Sequence, residues 1–158
     1  MATHQRTEGI ILRSRDVGEY DQVITAYTQD FGKLKLAAIS ARKITSKLRG
    51  GLEPLCLSAL EFIEGRSRLV LTDTVLQERY AVARKDLGRL ASAFEVLNAV
   101  DRLVQGQEAD KGIWELVSQT LLLLNDPNRS CAKAVSGFSP HFFALLGYGG
   151  ITENYAVE

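Results

Sequence analysis

Hydrophobic and polar positions change rhythm near residue 80. Before it, apolar residues come in short β-branched and aliphatic runs. Gly9–Arg13 is one, and Gln22–Thr28, with Val23, Ile24, Thr25, Tyr27 and Thr28, is a second, both suited to a pleated surface. Asp30-Phe31-Gly32-Lys33 reads as a turn. Lys33–Ile39 then alternates, with Leu34, Leu36 and Ala38 on one face and Lys33, Lys35 and Ala37 on the other. That period predicts a strand whose leucines enter a core while Lys33 and Lys35 point together to solvent. Leu55–Ile63 and Arg68–Thr74 complete the set, joined by a hairpin connection at Glu64-Gly65-Arg66-Ser67. Five short strands without helix-length crossovers predict a small antiparallel barrel rather than a parallel α/β sheet. The stretch from Arg42 to Pro54, with Gly50-Gly51, is expected as a surface loop.

From about Tyr80 the period becomes helical. Leu87, Leu90, Phe94, Leu97 and Val104 keep one face, widened by Val96, Val100 and Leu103, and Gly106 is a stop. Asp110 is placed to cap a second helix with the stripe Ile113, Leu116, Val117, Thr120, Leu121 and Leu124. Asp126-Pro127 predicts the start of a third helix carrying Cys131, Ala132, Val135 and Phe138. Ser139-Pro140 predicts a fourth, through Phe142, Leu145 and Leu146 to Gly147. The expected fold is α+β: a five-stranded barrel over residues 1–79, then an all-helical domain over residues 80–158.

Length and composition leave this picture intact. A chain of 158 residues, 46% apolar and 24% charged, can fold without disulfides or metals. Its two cysteines, Cys56 and Cys131, form no C-x-x-C motif and are expected as free thiols. The longest aliphatic run, Leu121–Leu124, is too short to span a bilayer. Met1–Glu8 is polar, so a cytoplasmic location is expected.

Charge adds something only locally. The net charge is zero, yet Phe31–Leu52 holds six basic residues and no acid: Lys33, Lys35, Arg42, Lys43, Lys47 and Arg49. On a small barrel such a patch, with Tyr20, Tyr27 and Phe31 nearby, suits a nucleic-acid strand: cations meet phosphates and rings stack on bases, although Tyr27 and Phe31 fit the core equally well. Catalysis finds little support. His4 and His141 have no partner at metal-ligand spacing, and Glu19 with Asp21 reads as a solvated turn. Gly147-Tyr148-Gly149-Gly150 follows a helix instead of preceding one, so it cannot offer a phosphate the dinucleotide-type helix start. No enzyme activity, cofactor or metal is expected.

The ordered series Glu8-Gly9-Ile10-Ile11-Leu12-Arg13, Gly18-Glu19-Tyr20-Asp21, Phe31-Gly32-Lys33-Leu34, Ala41-Arg42-Lys43, Ser46-Lys47-Leu48 and Leu52-Glu53-Pro54-Leu55 resembles the N-terminal domain of the bacterial recombination mediator RecO. Leu145-Leu146-Gly147-Tyr148 fits the family's helical part. The resemblance implies an OB-fold followed by helices, binding of single- and double-stranded DNA and strand annealing in DNA repair, recombinase loading, and partnership with RecR and with the acidic tail of single-strand-binding protein. The basic positions it carries over are Arg13, Lys33, Lys35, Arg42, Lys43, Lys47 and Arg49. The tail is expected on the helical half, where Arg102, Arg129 or Lys133 beside an apolar groove could receive it. The family continues into a four-cysteine zinc module that is absent here, so this chain is expected as either a naturally shortened form or an incomplete product, without zinc. Ser40 stands where the family commonly has glycine, which predicts a different local backbone. The rival expectation is a protein-interaction adaptor, whose helical half docks a partner peptide while the barrel is structural.

Overall fold

The computed structural model describes residues 3–48 and 50–148. The chain divides into two compact units. One comprises residues 1–79 with 100–109, and the other residues 80–99 with 110–158.

The first unit is built on five strands: β1 (Gln5–Val17), β2 (Asp21–Thr28), β3 (Gly32–Ala38), β4 (Leu57–Glu64) and β5 (Leu69–Glu78). They close in the order β1-β2-β3-β5-β4, with β4 returning to β1. This is the ring of an OB-fold. Four of its seams are antiparallel, and β3 with β5 is parallel through Leu36↔Leu69 and Ala37↔Val70. The expected five-stranded antiparallel barrel is found, and its one parallel seam follows from parity. Strand direction cannot alternate all the way around a ring with an odd number of members, so one seam must be parallel.

The ladder of β2 and β3 assigns the faces. Ile24↔Leu36 and Ala26↔Leu34 point inward, while Val23↔Ala37, Thr25↔Lys35 and Tyr27↔Lys33 point outward. On β1 the register shifts between Ile11 and Arg13, leaving Leu12 as an extra residue. The bulge changes the parity of everything after it. Ile11 pairs Ala26 on the inner face, yet Arg13 pairs Thr25 and Arg15 pairs Val23 on the outer one. β1 therefore runs four residues past the expected end at Arg13, presenting its arginines outward.

The β3–β4 connection fills one end of the barrel. Ala41, Leu48, Leu52 and Cys56 from this loop join Ile11, Ile24, Leu34, Leu36, Leu60, Phe62 and Leu71 in one core cluster. Leu48 and Leu52 retain only 5% and 6% of their exposure, so each contributes about 2 kcal/mol of burial. The other end receives residues 100–109. Lys33 N–H donates to the Gly106 carbonyl at 3.3 Å, and Gly32, at φ 68°, lies against the backbone of Glu108.

The second unit is helical: α1 (Ala81–Arg84), most of α2 (Leu87–Leu103), α3 (Lys111–Leu124), α4 (Cys131–Ser136) and α5 (Phe138–Phe143). Asp110 caps α3 as expected, its carboxylate accepting from Ile113 N–H at 3.1 Å. Arg89 closes the other end of α3, donating to the Leu124 and Asp126 carbonyls at 3.0 Å each. Two expected helix starts move. Asp126 accepts from Asn128 N–H in a tight turn, and Ser130 caps α4 instead. Pro140 falls within the first turn of α5, which begins at Phe138, earlier than Ser139-Pro140 predicts. Gly147, at φ 98°, ends the helical stretch Ala144–Tyr148 as expected. Leu87 is 84% exposed and lies off the buried stripe of Ala93, Val96, Leu97 and Val100. Neither Cys56 nor Cys131 forms a disulfide. Among the described residues no helix is long and apolar enough to cross a membrane.

A methyl group on Gly32 would stand 2.6 Å from the Glu108 carbonyl oxygen, on a backbone conformation that costs an L-residue about 1–2 kcal/mol. Gly32→Ala is expected to lower stability by at least about 2 kcal/mol, read as a shifted midpoint in urea denaturation. An unchanged midpoint would mean that residues 100–109 do not hold this position.

Candidate nucleic-acid interface

The basic residues collect along the outer face of β1–β3 and on the β3–β4 loop. In register, Arg13, Thr25 and Lys35 lie abreast across three strands, with Arg15 beside Val23 one step further. Arg15 is absent from the six-cation run because it lies on a different strand. Its spacing of two from Arg13 was the available signal, and the bulge that turns both outward hid it.

At the loop end, the β1–β2 turn and the start of the β3–β4 loop are fastened together. Ser40 N–H donates to the Asp21 carboxylate at 2.6 Å, and Arg42 N–H donates to the Tyr20 carbonyl at 2.9 Å. Ser40 itself takes φ 58°. This is the left-handed region that glycine takes readily. The hydrogen bond to Asp21 holds Ser40 there. Asp21, read from sequence as part of a solvated turn, is the latch between two loops.

Around this latch lie exposed side chains. The Lys43 ammonium sits 5.1 Å from the centre of the Tyr20 ring, a cation–π distance. Tyr20 remains 42% exposed. Arg42 donates to the Glu19 carbonyl at 3.1 Å and lies 3.7 Å from the Asp16 carboxylate. Lys35 and Lys47 are exposed, and with Arg15 and Lys43 they form no ion pair among the described residues. Ala38, where β3 ends, is only three residues beyond Lys35, roughly 10 Å along the strand, so strand and loop cations adjoin. The run free of acids along the sequence is not free of them in space, because the β1–β2 turn brings in Asp16, Glu19 and Asp21.

Toward the other end the cations are engaged. Arg13 Nε lies 2.7 Å from the Asp101 carboxylate, and Lys33 Nζ donates to the Asp101 carbonyl at 2.5 Å and lies 3.4 Å from Oδ1. Lys33 keeps 19% of its side-chain exposure, so it does not project to solvent beside Lys35 as the alternation predicts. The alternation assigned its face correctly; residues 100–109, far away in sequence, cover that face. Two of the three candidate aromatics are drawn toward the core. Tyr27 is fully buried, and Phe31 packs edge-on against Phe62 at 5.4 Å on the border of the core. Phe31 also belongs to the β2–β3 turn, about 25 Å from Tyr20 along the eight residues of β2. Arg49 lies outside the described residues.

Of the three residues considered for a partner tail, Arg129 and Lys133 line one depression of the second unit, together with Leu123, Ser130 and Ala134. Arg102, exposed in the last turn of α2, is not part of its lining. Among the described residues no group of three or more His, Cys, Asp or Glu is placed to hold a metal ion. His4 stands 2.7 Å from Glu61, which also faces Arg6 at 3.2 Å.

Asp101 thus holds two cations at once, and removing its charge should be felt in the fold. Asp101→Asn is expected to cost about 1–2 kcal/mol, because charge-assisted bonds weaken and two cations lose their counterion. Lys35→Ala, at an exposed and unpaired position, should stay within about 0.5 kcal/mol of the parent. Urea midpoints of the two variants check the contrast, and equal midpoints would remove Asp101 from the clamp role.

Comparison with known proteins follows the same division. The family model for "Recombination protein O N terminal" matches residues 1–77. A "DNA repair protein RecO" from Moorella thermoacetica is 36% identical over 142 residues, covering 90% of this chain and 52% of the relative. Its counterpart from Roseiflexus sp. is 32% identical over 143 residues, covering 90% and 50%. That from Desulforudis audaxviator is 32% identical over 149 residues, covering 91% and 57%. The chain spans about half the length of these curated relatives. With a closed five-stranded barrel of this order and the motif series carried on its strands and loops, the chain is similar to RecO proteins over about nine-tenths of its length, its first 77 residues matching the family's N-terminal model.

Proposed function

We propose that the chain is a non-catalytic DNA-binding protein of recombinational repair, which holds single strands for annealing. The observation that carries this reading is the group of exposed cations at one end of the barrel, Arg15, Lys35, Arg42, Lys43 and Lys47, with the exposed ring of Tyr20 among them. Phosphates would be met by the cations and a base face by the tyrosine. The names of the relatives support a repair role. In this reading Arg13 and Lys33 contribute less than their positions in the motif imply, since both are already engaged by the one carboxylate of Asp101.

A role in loading recombinase with RecR and single-strand-binding protein, within the cytoplasm, completes the proposal. The depression lined by Arg129 and Lys133 beside Leu123 and Ala134 suits an acidic peptide such as the tail of single-strand-binding protein. The same depression favours the second reading, an adaptor that recruits a partner without holding DNA. Titrating one preparation with tail peptide and with labelled oligonucleotide separates the two. Peptide binding without DNA binding supports the adaptor.

The DNA reading makes a quantitative expectation. With five cations on phosphates, log affinity for a single strand should fall against log salt with a slope of about −3.5. Replacing Arg42, Lys43 and Lys47 together by alanine should reduce the magnitude of the slope by about 2, and should weaken binding to different sequences alike, because phosphate contacts carry no base information. Fluorescence anisotropy at several salt concentrations measures both. A slope near zero in the parent chain would reject the interface.

A further inference from the structure

Four large apolar side chains are exposed at the same end of the barrel as the free cations: Val17, Tyr20, Ile39 and Ile44. Pairings and contacts tie them into one neighbourhood. Val17 pairs Asp21, whose carboxylate accepts from Ser40 beside Ile39, and Tyr20 lies under Lys43 beside Ile44. Ile44 stands out, since at 86% it is the most exposed large hydrophobic among the described residues. It sits near the tip of a closed turn, in which Ser46 N–H donates to the Lys43 carbonyl at 3.0 Å. That turn is anchored from both sides by the buried Ala41 and Leu48. An isoleucine displayed on an anchored turn among exposed Arg42, Lys43 and Lys47 cannot be meeting this chain's own core.

We infer that Ile44 is a wedge that inserts between adjacent bases of a strand held by these cations, so that this end of the barrel prefers single-stranded or frayed DNA to intact duplex. The inference rests on the DNA reading above and adds to it a residue and a preference. The physics is the division of labour along a nucleic acid. Cations alone suit any phosphate backbone, single or double. Exposed apolar side chains gain contact only where base faces are open, and inserted aliphatic wedges unstack neighbouring bases. Tyr20 offers a stacking face next to the wedge, and the Lys43 ammonium over its other face leaves one side free. A membrane is the other surface attracted by cations with an apolar tip. One isoleucine buries much less than a single acyl chain, which by itself gives only marginal membrane binding.

The test uses the full 158-residue chain and a fluorescent-base oligonucleotide, with 2-aminopurine inside an adenine run, as single strand and as blunt duplex. The parent chain should raise the 2-aminopurine emission of the single strand by unstacking it, and should bind single strand more tightly than duplex. Ile44→Ser should abolish the rise and weaken single-strand binding roughly tenfold. Duplex binding and the salt slope should stay unchanged, because no cation is lost. As Ile44 is exposed, the variant should melt with the parent, which separates the effect from unfolding. If the parent binds with the expected salt slope but Ile44→Ser matches it in affinity and emission, the wedge is wrong while the DNA reading stands. If the parent shows no salt-dependent binding, both fall. Loss of binding to anionic phosphatidylglycerol vesicles in Ile44→Ser, with DNA binding and emission intact, would overturn the wedge and assign the tip to a membrane surface.

Discussion

The candidate interface depends on apolar residues that never reach the surface. Leu48 and Leu52, with Ala41 and Cys56, drop from the β3–β4 loop into the open end of the barrel, where Ile24, Leu36 and Leu71 receive them. A basic, glycine-bearing loop of this length would otherwise be free to move, and each cation would lose freedom on meeting a phosphate. Because the hydrophobic side of the loop is spent on the core, its polar side has one direction to face. Arg42, Lys43 and Lys47 therefore stand preorganised on a rigid turn, and the latch from Ser40 to Asp21 carries the β1–β2 turn into the same place.

A second constraint decides which strand cations join them. The extra residue at Leu12 turns Arg13 and Arg15 to the outer face, abreast of Lys35. Without it both arginines would follow Ile11 inward, which an unpaired charge cannot afford. Residues 100–109 then divide this outer row. Asp101 holds Arg13 and Lys33 near the β2–β3 turn, while Arg15 and Lys35 stay open toward the loop. The positive face is thereby narrowed to one end of the barrel, where the exposed apolar side chains also lie.

What the sequence made legible follows from distance along the chain. Strand periods, the Asp110 cap and the stop at Gly147 are local signals, and they hold in the structure. The alternation Lys33-Leu34-Lys35-Leu36 assigned faces correctly. It could not reveal that Lys33 is covered, because its partner Asp101 lies 68 residues away. The end of β1 was missed because a bulge breaks the period-two pattern that marks a strand. For Tyr27 and Phe31 the sequence left stacking and core burial both open, because aromatic residues look alike in sequence; the fold buries Tyr27 and packs Phe31 against the core. Asp126-Pro127 and Ser139-Pro140 carried correct chemistry for a turn and a first helical turn, one step away from the expected roles. Arg15 and Ile44 needed the folded surface to be noticed at all.

The most direct measurement is amide hydrogen exchange of the whole chain with and without a saturating single-stranded oligonucleotide. The account predicts added protection in residues 15–21, 33–39 and 40–48, and unchanged exchange in β4 and on the outer side of β5. Protection confined to β4, β5 or the helical unit, with the β3–β4 loop exchanging as in the free chain, would contradict it.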